Sequence, residues 1–105
     1  MTPDLDLDQL KANAASASAL LKALANPDRL LLLCQLSQGE CSVSELEQLL
    51  GIRQPTLSQQ LAVLRREGLV ATRREGKLIH YRISSAEALA VITTLYRLFC
   101  EERQQ

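Results

Sequence analysis

Three cysteines, Cys34, Cys41 and Cys100, carry the side chains of this sequence best suited to redox chemistry or to binding a soft metal ion. None belongs to a Cys-x-x-Cys pair, and in such a chain a free thiol acts as a buried apolar group, a metal ligand or a redox group. Cys34 lies among leucines, so its pattern alone favours burial. Cys100 lies near the end of the chain, where burial explains it less well. Spacing alone leaves all three roles open.

The charged side chains are distributed unevenly along a chain whose formal net charge is +0. Residues 1–52 carry three basic and seven acidic side chains, and residues 83–105 carry two basic and three acidic ones. Residues 53–82 carry seven basic and two acidic side chains, which gives this segment a net charge of +5. A single basic segment in a neutral protein predicts a face that binds a polyanion, although a solvated charged surface explains the count equally well.

A helix, a short turn and a second helix are predicted over residues 43–68. Ser42 with Glu45 has the capping-box pattern that starts a helix, and Gly51 suits the left-handed residue that ends one. The second helix begins near Gln54 and places a stripe of leucines on one side. This is the spacing of a helix-turn-helix motif.

The outward face of the second helix carries hydroxyl and amide side chains, which can meet base edges in a major groove. We expect Gln59 and Gln60 each to bond an adenine edge through two hydrogen bonds. Thr56 and Ser58 can contact bases or phosphates, and Arg65 is placed to meet phosphate. The full set predicted to contact DNA is Gln54, Thr56, Ser58, Gln59, Gln60, Arg65, Arg73, Arg74 and Lys77.

A β-hairpin is predicted directly after the helix-turn-helix. Residues 69–73 and 78–83 alternate between apolar and polar side chains, and Gly76 lies in the turn between them. The basic side chains at its tip suit the DNA backbone or the adjacent minor groove. A helix-turn-helix followed by a basic hairpin is typical of a winged helix. His80, on the second strand, is expected to be exposed near phosphate rather than to bind a metal.

The flanking helices are predicted to supply the core and an interface. Apolar residues recur at steps of three and four over residues 7–25, and Asn26 can cap a second helix that is apolar nearly all round. The last helix, about 85–101, follows a capping-box pattern of Ser84 with Glu87 and has two apolar faces. One face fits the core of its own chain, so the other predicts a second subunit.

The length and composition indicate one domain and exclude several classes of protein. We treat residues 1–105 as a single winged helix-turn-helix domain, mainly α with a small β-hairpin, in the order α-α-α-α-β-β-α. The acidic start, residues 1–8, predicts no secretory or mitochondrial leader, and the longest apolar run, 30–34, is too short to span a bilayer. We therefore expect a cytoplasmic protein that needs no cofactor and no membrane and is not an enzyme.

Three stretches of the sequence resemble the ArsR-type winged-helix repressors, and the likeness extends over nearly the whole chain. They are LLKALANPDRL at 20–30, QPTLSQQL at 54–61 and LRREGLV at 64–70. The resemblance implies a homodimer built on the first and last helices, about 7–25 and 85–101. It also implies a double-stranded DNA operator with inverted half-sites about a helical turn apart, and repression that an inducer relieves.

The metal-ligand sets of that family are not matched here, so we expect no bound metal. The arsenic-type site is a Cys-Val-Cys-Asp-Leu stretch, and residues 42–46 read Ser-Val-Ser-Glu-Leu instead. Serine is a poor ligand for a soft metal, and Cys41 lies just outside the register. The zinc-type site needs Asp, His and Glu on the last helix, which here has no His and no Asp.

The contexts of Cys34 and Cys100 resemble the BigR/SqrR/HlyU-like branch of the family. That resemblance implies a pair of thiols that senses persulfides and related reactive sulfur species. A disulfide or polysulfide link would join the second helix to the last one, respace the two recognition helices and release DNA. The alternative is a repressor that senses As(III) or another soft metal through Cys34, Cys41 and Cys100.

Two further classes of function stay open from the sequence. A small redox enzyme or thiol carrier is disfavoured, because the chain has neither a Cys-x-x-Cys pair nor a βαβ pattern. A module that binds only proteins is the other, and it would lack the steep salt dependence of DNA binding. Activation by displacing another DNA-bound protein also stays open beside repression.

Overall fold

The computed structural model describes residues 6–101 as five α-helices, a closing π-helical segment and three antiparallel strands. The helices are α1 (Leu7–Leu24), α2 (Pro27–Leu36), α3 (Val43–Leu50), α4 (Thr56–Arg66) and α5 (Ala86–Tyr96), and the π-helical segment is Arg97–Glu101. The strands are β1 (Cys41–Ser42), β2 (Val70–Glu75) and β3 (Leu78–Ile83). The predicted winged helix-turn-helix is therefore confirmed, with α3 and α4 as the motif and the β2–β3 hairpin as the wing. The first five residues of the predicted acidic start lie outside the described range.

Side-chain caps set the starts of α2 and α3 where the sequence predicts them. The Asn26 side chain accepts a hydrogen bond from the Arg29 backbone N–H at 3.0 Å. Ser42 and Glu45 form both bonds of a capping box. Gly51 then ends α3 at φ 70°, a left-handed conformation that glycine adopts without strain.

The start of the last helix differs from the prediction by one residue. Ser85, not Ser84, caps α5, because its side chain accepts a hydrogen bond from the Ala88 N–H at 3.0 Å. The Ser84 hydroxyl instead donates to the Gly68 carbonyl at 3.4 Å. The predicted continuous helix also changes to π-helical geometry from Arg97, so the last cysteine lies in a wider turn.

The wing is a hairpin with a tighter turn than the sequence predicts. β2 and β3 pair antiparallel along their whole length. The predicted first strand, 69–73, stops short of Glu75, so the expected four-residue turn shrinks to Gly76-Lys77. Gly76 has φ 61°, as a two-residue hairpin turn requires.

A short strand that the sequence does not predict extends the sheet. β1 lies beside β3, with Cys41 opposite Tyr81 and Ser42 opposite His80, so the strand order is β1-β3-β2. Two residues are too few to show an alternating pattern, which explains why the prediction missed this strand. The pairing attaches the start of α3 to the wing.

Helix α2 lies at the centre of the fold, as its all-round apolar sequence predicts. It packs against α1, α3, α4, α5 and β3. Burying a large aliphatic side chain stabilises a fold by about 1.5–3 kcal/mol. Because α2 packs against all of these elements, a displacement of α2 would disturb its packing with each of them. The most deeply buried large side chains are Leu32, Leu33, Leu46, Leu57, Leu61, Leu64 and Ile92.

Helices α1 and α5 expose apolar side chains that nothing within residues 6–101 covers. α1 is buried only at its end, at Ala23 and Leu24. α5 buries Ala88 and Ile92 and exposes a second apolar face, as predicted for the last helix. The exposed large apolar side chains of α1, α5 and the π-helical segment are Leu7, Leu10, Leu21, Leu89, Tyr96, Leu98 and Phe99. No helix of the described range is both long and apolar enough to cross a membrane.

Candidate functional site

The buried stripe of α4 determines which of its side chains face outward. Leu57, Leu61 and Leu64 are buried in the core. Residues on the other side of the helix, among them Ser58, Gln59 and Arg65, are exposed. The polar face predicted for the recognition helix is therefore available to a ligand at these three positions.

The first turn of α4 is stabilised by Gln54, a residue predicted from the sequence to contact DNA. The Gln54 Oε1 accepts a hydrogen bond from the Ser58 backbone N–H at 3.1 Å. This bond satisfies one of the free N–H groups at the helix start. Gln54 remains exposed, whereas Thr56 is half-buried.

Gln60 is placed differently from the prediction. It lies three residues after Leu57 and four before Leu64, so it shares their side of the helix and is half-buried. Its Oε1 accepts a hydrogen bond from Arg29 Nη1 at 2.8 Å. The expected adenine contact uses both the oxygen and the nitrogen of a glutamine, so the bond to Arg29 competes with that contact for the oxygen.

Arg73 on the wing is paired with acidic side chains rather than free. Its Nη2 lies 2.7 Å from Glu40 Oε1, its Nε donates to the same oxygen at 2.8 Å, and its Nη1 lies 3.8 Å from Glu75 Oε1. The hydrogen bond from Arg73 lowers the pKa of Glu40, and nearby His80 and Arg82 contribute to the same effect. The predicted phosphate contact of Arg73 therefore competes with two carboxylates.

Arg65, Arg74 and Lys77 present their charges without such competition. All three are exposed, and none forms an ion pair within the described part of the chain. Arg74 and Lys77 lie at the tip of the wing, and Arg65 lies in the last turn of α4. These are the predicted phosphate-binding side chains that stay available.

His80 is not the exposed side chain that the sequence predicts. Only 14% of its side chain is exposed, and its Nε2 lies 3.1 Å from Glu75 Oε1. Paired with Ser42 on one side and Arg73 on the other, it lies in the middle of the sheet. It is a packed member of the wing.

Cys34 lies on α2, which packs against α5, and Cys100 lies on the π-helical segment that follows α5. Cys34 is half-buried on α2, and Cys100 is exposed on the π-helical segment; both are free thiols. Burial raises the pKa of Cys34, and the nearby Cys100 raises it further.

Cys41 lies on a different element from either of these two cysteines. It is buried at the start of β1, and its Sγ lies 3.9 Å from the Gly39 carbonyl oxygen. Its pKa is raised by burial first and by Glu45 second. Within residues 6–101 no group of three His, Cys, Asp or Glu side chains is placed to hold a metal ion. The soft-metal alternative therefore lacks a common site for the three cysteines in this part of the chain.

Two residues that contact the predicted site were missed by the sequence analysis. Arg29 reaches Gln60 across 31 positions, and Glu40 reaches Arg73 across 33. Neither contact follows from helix or strand periodicity, because each depends on how distant elements pack.

The sequence matches a known family and several curated proteins. The model described as "Bacterial regulatory protein, arsR family" matches residues 26–72. The biofilm growth-associated repressor of Xylella fastidiosa is 48% identical over 103 residues, which cover 98% of this chain and 90% of that protein. The transcriptional activator HlyU of Vibrio cholerae is 47% identical over 100 residues, which cover 95% and 93%.

Solved structures share the fold along most of the chain. The reduced HlyU of Vibrio cholerae gives a TM-score of 0.85 at 49% identity, covering 90% of this chain and 99% of that one. The repressor BigR of Xylella fastidiosa gives 0.83 at 49% identity, covering 91% and 98%. A homodimeric winged helix-turn-helix DNA-binding domain of Mycobacterium bovis gives 0.76 at 31% identity, covering 99% and 94%.

Proposed function

This chain belongs to the ArsR family of bacterial regulatory proteins, and from that premise we propose that it is a homodimeric, DNA-binding repressor switched by reactive sulfur. In its reduced form it binds an operator with inverted half-sites. It releases the operator when Cys34 and Cys100 become linked. The observation that carries this proposal is the combination of an exposed polar face on α4 with free thiols on α2 and on the segment that follows its packing partner α5.

The exposed face of α4 supplies base contacts and the wing supplies phosphate contacts. Gln59 and Ser58 face outward on the helix that enters the major groove. Arg65, Arg74 and Lys77 bind phosphates, because their charges are exposed and unpaired within residues 6–101. Gln54 and Thr56 lie at the start of α4, where they contact the sugar–phosphate backbone of the DNA.

The second subunit covers the exposed apolar faces of α1 and α5. An uncovered apolar surface of this extent marks an interaction face, and a twofold dimer buries one such patch from each copy. The Mycobacterium bovis relative, which is homodimeric, supports this arrangement. Twofold symmetry then requires an operator whose half-sites are inverted.

A persulfide, R–S–SH, links the two thiols with balanced electrons. The exposed Cys100 thiolate attacks the outer sulfur, forms Cys100–S–SH and releases R–S⁻. The Cys34 thiolate then attacks the Cys100 sulfur, forms the disulfide and releases HS⁻. Two thiols are oxidised, one sulfane sulfur is reduced to sulfide, and the two thiol protons leave with R–SH and H₂S. If both cysteines are first persulfidated, the outer sulfur of the Cys34 persulfide attacks the inner sulfur of the Cys100 persulfide. This forms a trisulfide between the two cysteines and releases one H₂S.

Cys34 is the second thiol to react rather than the first. Burial and the neighbouring Cys100 raise the pKa of Cys34, which lowers its thiolate fraction at neutral pH. The rate of link formation therefore rises as the pH approaches the raised pKa of Cys34. A stopped-flow measurement of linking between neutral and alkaline pH checks this sign.

The link changes DNA binding through α2. Joining Cys34 to Cys100 ties α2 to the π-helical segment at the end of the dimerisation helix α5. Because α2 also packs against α4, a shift of α2 moves the recognition helix. A change of about 1.4 kcal/mol in the balance between the two arrangements alters operator affinity tenfold.

The proposal is tested with a DNA duplex that the reduced protein selects from a random pool. We expect the wild-type protein to lose at least about tenfold in affinity after a persulfide donor and to regain it with dithiothreitol. Cys34→Ser should bind the duplex normally and no longer release it. Cys41→Ser is the matched control and should behave as the wild type. Persulfide-dependent release by the Cys34→Ser variant would contradict the proposal.

A further inference from the structure

Arg29 joins three helices through one guanidinium group. It lies on α2, and its Nε and Nη2 donate to the carbonyls of Ala23 and Lys22 at the end of α1, the latter at 3.4 Å. Its Nη1 donates to Gln60 Oε1 on α4 at 2.8 Å. The two α1 carbonyls belong to the last turn, where no N–H group four residues further on is available to them; that of Lys22 also accepts from the Ala25 N–H at 3.3 Å.

The surface between α1 and α4 is partly open beside Arg29. A cleft of about 290 Å³ separates them, lined by Ala19, Lys22 and Ala23 from α1 and by Val63 and Arg66 from α4. Arg29 also lines this cleft. Its guanidinium therefore bridges a gap that side-chain packing does not close.

We propose that Arg29 is the positioning residue that couples the recognition helix α4 to the dimerisation helix α1. This inference rests on the proposed function, since it concerns how the DNA-binding face is held. Arg29 and Cys34 lie on the same helix, α2. A displacement of α2 by the sulfur link therefore reaches α1 and α4 through the same side chain.

The chemistry of the pair also fixes how Gln60 is oriented. A guanidinium only donates hydrogen bonds, so the Gln60 oxygen must face Arg29 and the amide nitrogen must point away. Gln60 thereby serves as an anchor of α4. An anchor bonded to a neighbouring helix transmits a displacement, whereas a free surface amide does not.

A double-mutant cycle tests the coupling. We expect Arg29→Met and Gln60→Met each to lower the affinity for the selected duplex by about tenfold, and the double variant to lose no more than either single variant. Arg29→Lys keeps the positive charge but loses the planar guanidinium that donates several hydrogen bonds at once, so it should bind DNA as weakly as Arg29→Met. The slope of affinity against salt should stay that of the wild type, because no phosphate contact is removed.

Hydrogen exchange of the α4 amides provides a readout that needs no DNA. Exchange across α4 should accelerate in Arg29→Met and in Gln60→Met while the far-ultraviolet spectrum and the dimer persist. Should Arg29→Met fail to fold, Gln60→Met alone decides, since it removes only the acceptor. Three results would overturn the coupling. They are a loss of about a hundredfold in the double variant, wild-type affinity in Arg29→Lys, and unchanged exchange of the α4 amides in both single variants. A wild-type protein that selects no duplex would contradict the proposed function instead, and the exchange result would still judge the coupling.

Discussion

Single side chains decide which charges of the wing are available to DNA. Arg73 is bound by Glu40 and Glu75, whereas Arg74 and Lys77 are exposed and unpaired within residues 6–101. Exposed ion pairs contribute little to stability, so the Glu40–Arg73 contact matters more for function than for folding. It lowers the positive charge that the wing offers to a phosphate.

Glu40→Gln should strengthen operator binding. The substitution removes the closer of the two carboxylates that hold Arg73 and leaves only the 3.8 Å contact with Glu75, so the guanidinium becomes more available to a phosphate. We expect affinity to rise roughly two- to fivefold, with a salt dependence steeper by about one counterion. Fluorescence anisotropy of a labelled duplex at several salt concentrations measures both. Glu47→Gln makes the same charge change without a contact to Arg73, and an equal gain in that control would contradict the assignment.

Capping side chains show how much of an element its sequence can predict. The Ser42–Glu45 box and the Asn26 cap follow from local spacing and were predicted correctly. The start of α5 was predicted one residue too early, because Ser84 and Ser85 are adjacent serines and only the backbone decides which one caps. Ser85 has the extended conformation of a cap, with φ −107° and ψ 118°.

Replacing the two serines separately tests that assignment. Ser85→Ala should lower the free energy of unfolding by about 1 kcal/mol, because the Ala88 N–H loses its acceptor. Ser84→Ala removes only a long bond to a carbonyl and should change stability by less than about 0.5 kcal/mol. Urea denaturation of both variants measures the difference. A larger loss in Ser84→Ala would place the cap where the sequence predicted it.

The contacts between distant elements explain what the sequence could not predict. The two-residue strand β1 carries no periodic signal, and its partner β3 lies far along the chain. Gln60 follows Gln59 directly, and both were predicted to read bases. Helical geometry places Gln60 beside the core leucines, and only packing against α2 brings Arg29 to it. Periodicity thus predicted the helices and the wing, whereas these contacts needed the folded chain.

The described part of one protomer is elongated, measuring 51 × 37 × 21 Å, and has uncovered apolar faces. Its core runs through α2, and its exposed apolar side chains gather on α1 and α5. A second copy that covers these faces would place two recognition helices on one DNA duplex. In the proposed function, dimerisation and the thiol pair would share the α5 end of the fold.

Leu21→Glu should prevent dimerisation and weaken operator binding. Leu21 is 59% exposed on α1, and a carboxylate there would be buried unpaired in the proposed interface. Leu49→Glu on α3 is a matched control, because Leu49 is also 59% exposed but lies outside that interface. Sedimentation equilibrium should find a monomer for the first variant and a dimer for the second. A dimeric Leu21→Glu protein would exclude α1 from the interface.

The central claim is that Cys34 and Cys100 form one switch, and intact-mass analysis tests it most directly. Reduced protein is treated with a persulfide donor, and its cysteine peptides are mapped without reduction. We predict a Cys34–Cys100 link, seen as the loss of two hydrogens or the gain of bridging sulfur, while Cys41 stays a free thiol. A folded protein in which Cys34 and Cys100 both remain free thiols would contradict the switch and leave only the DNA-binding face.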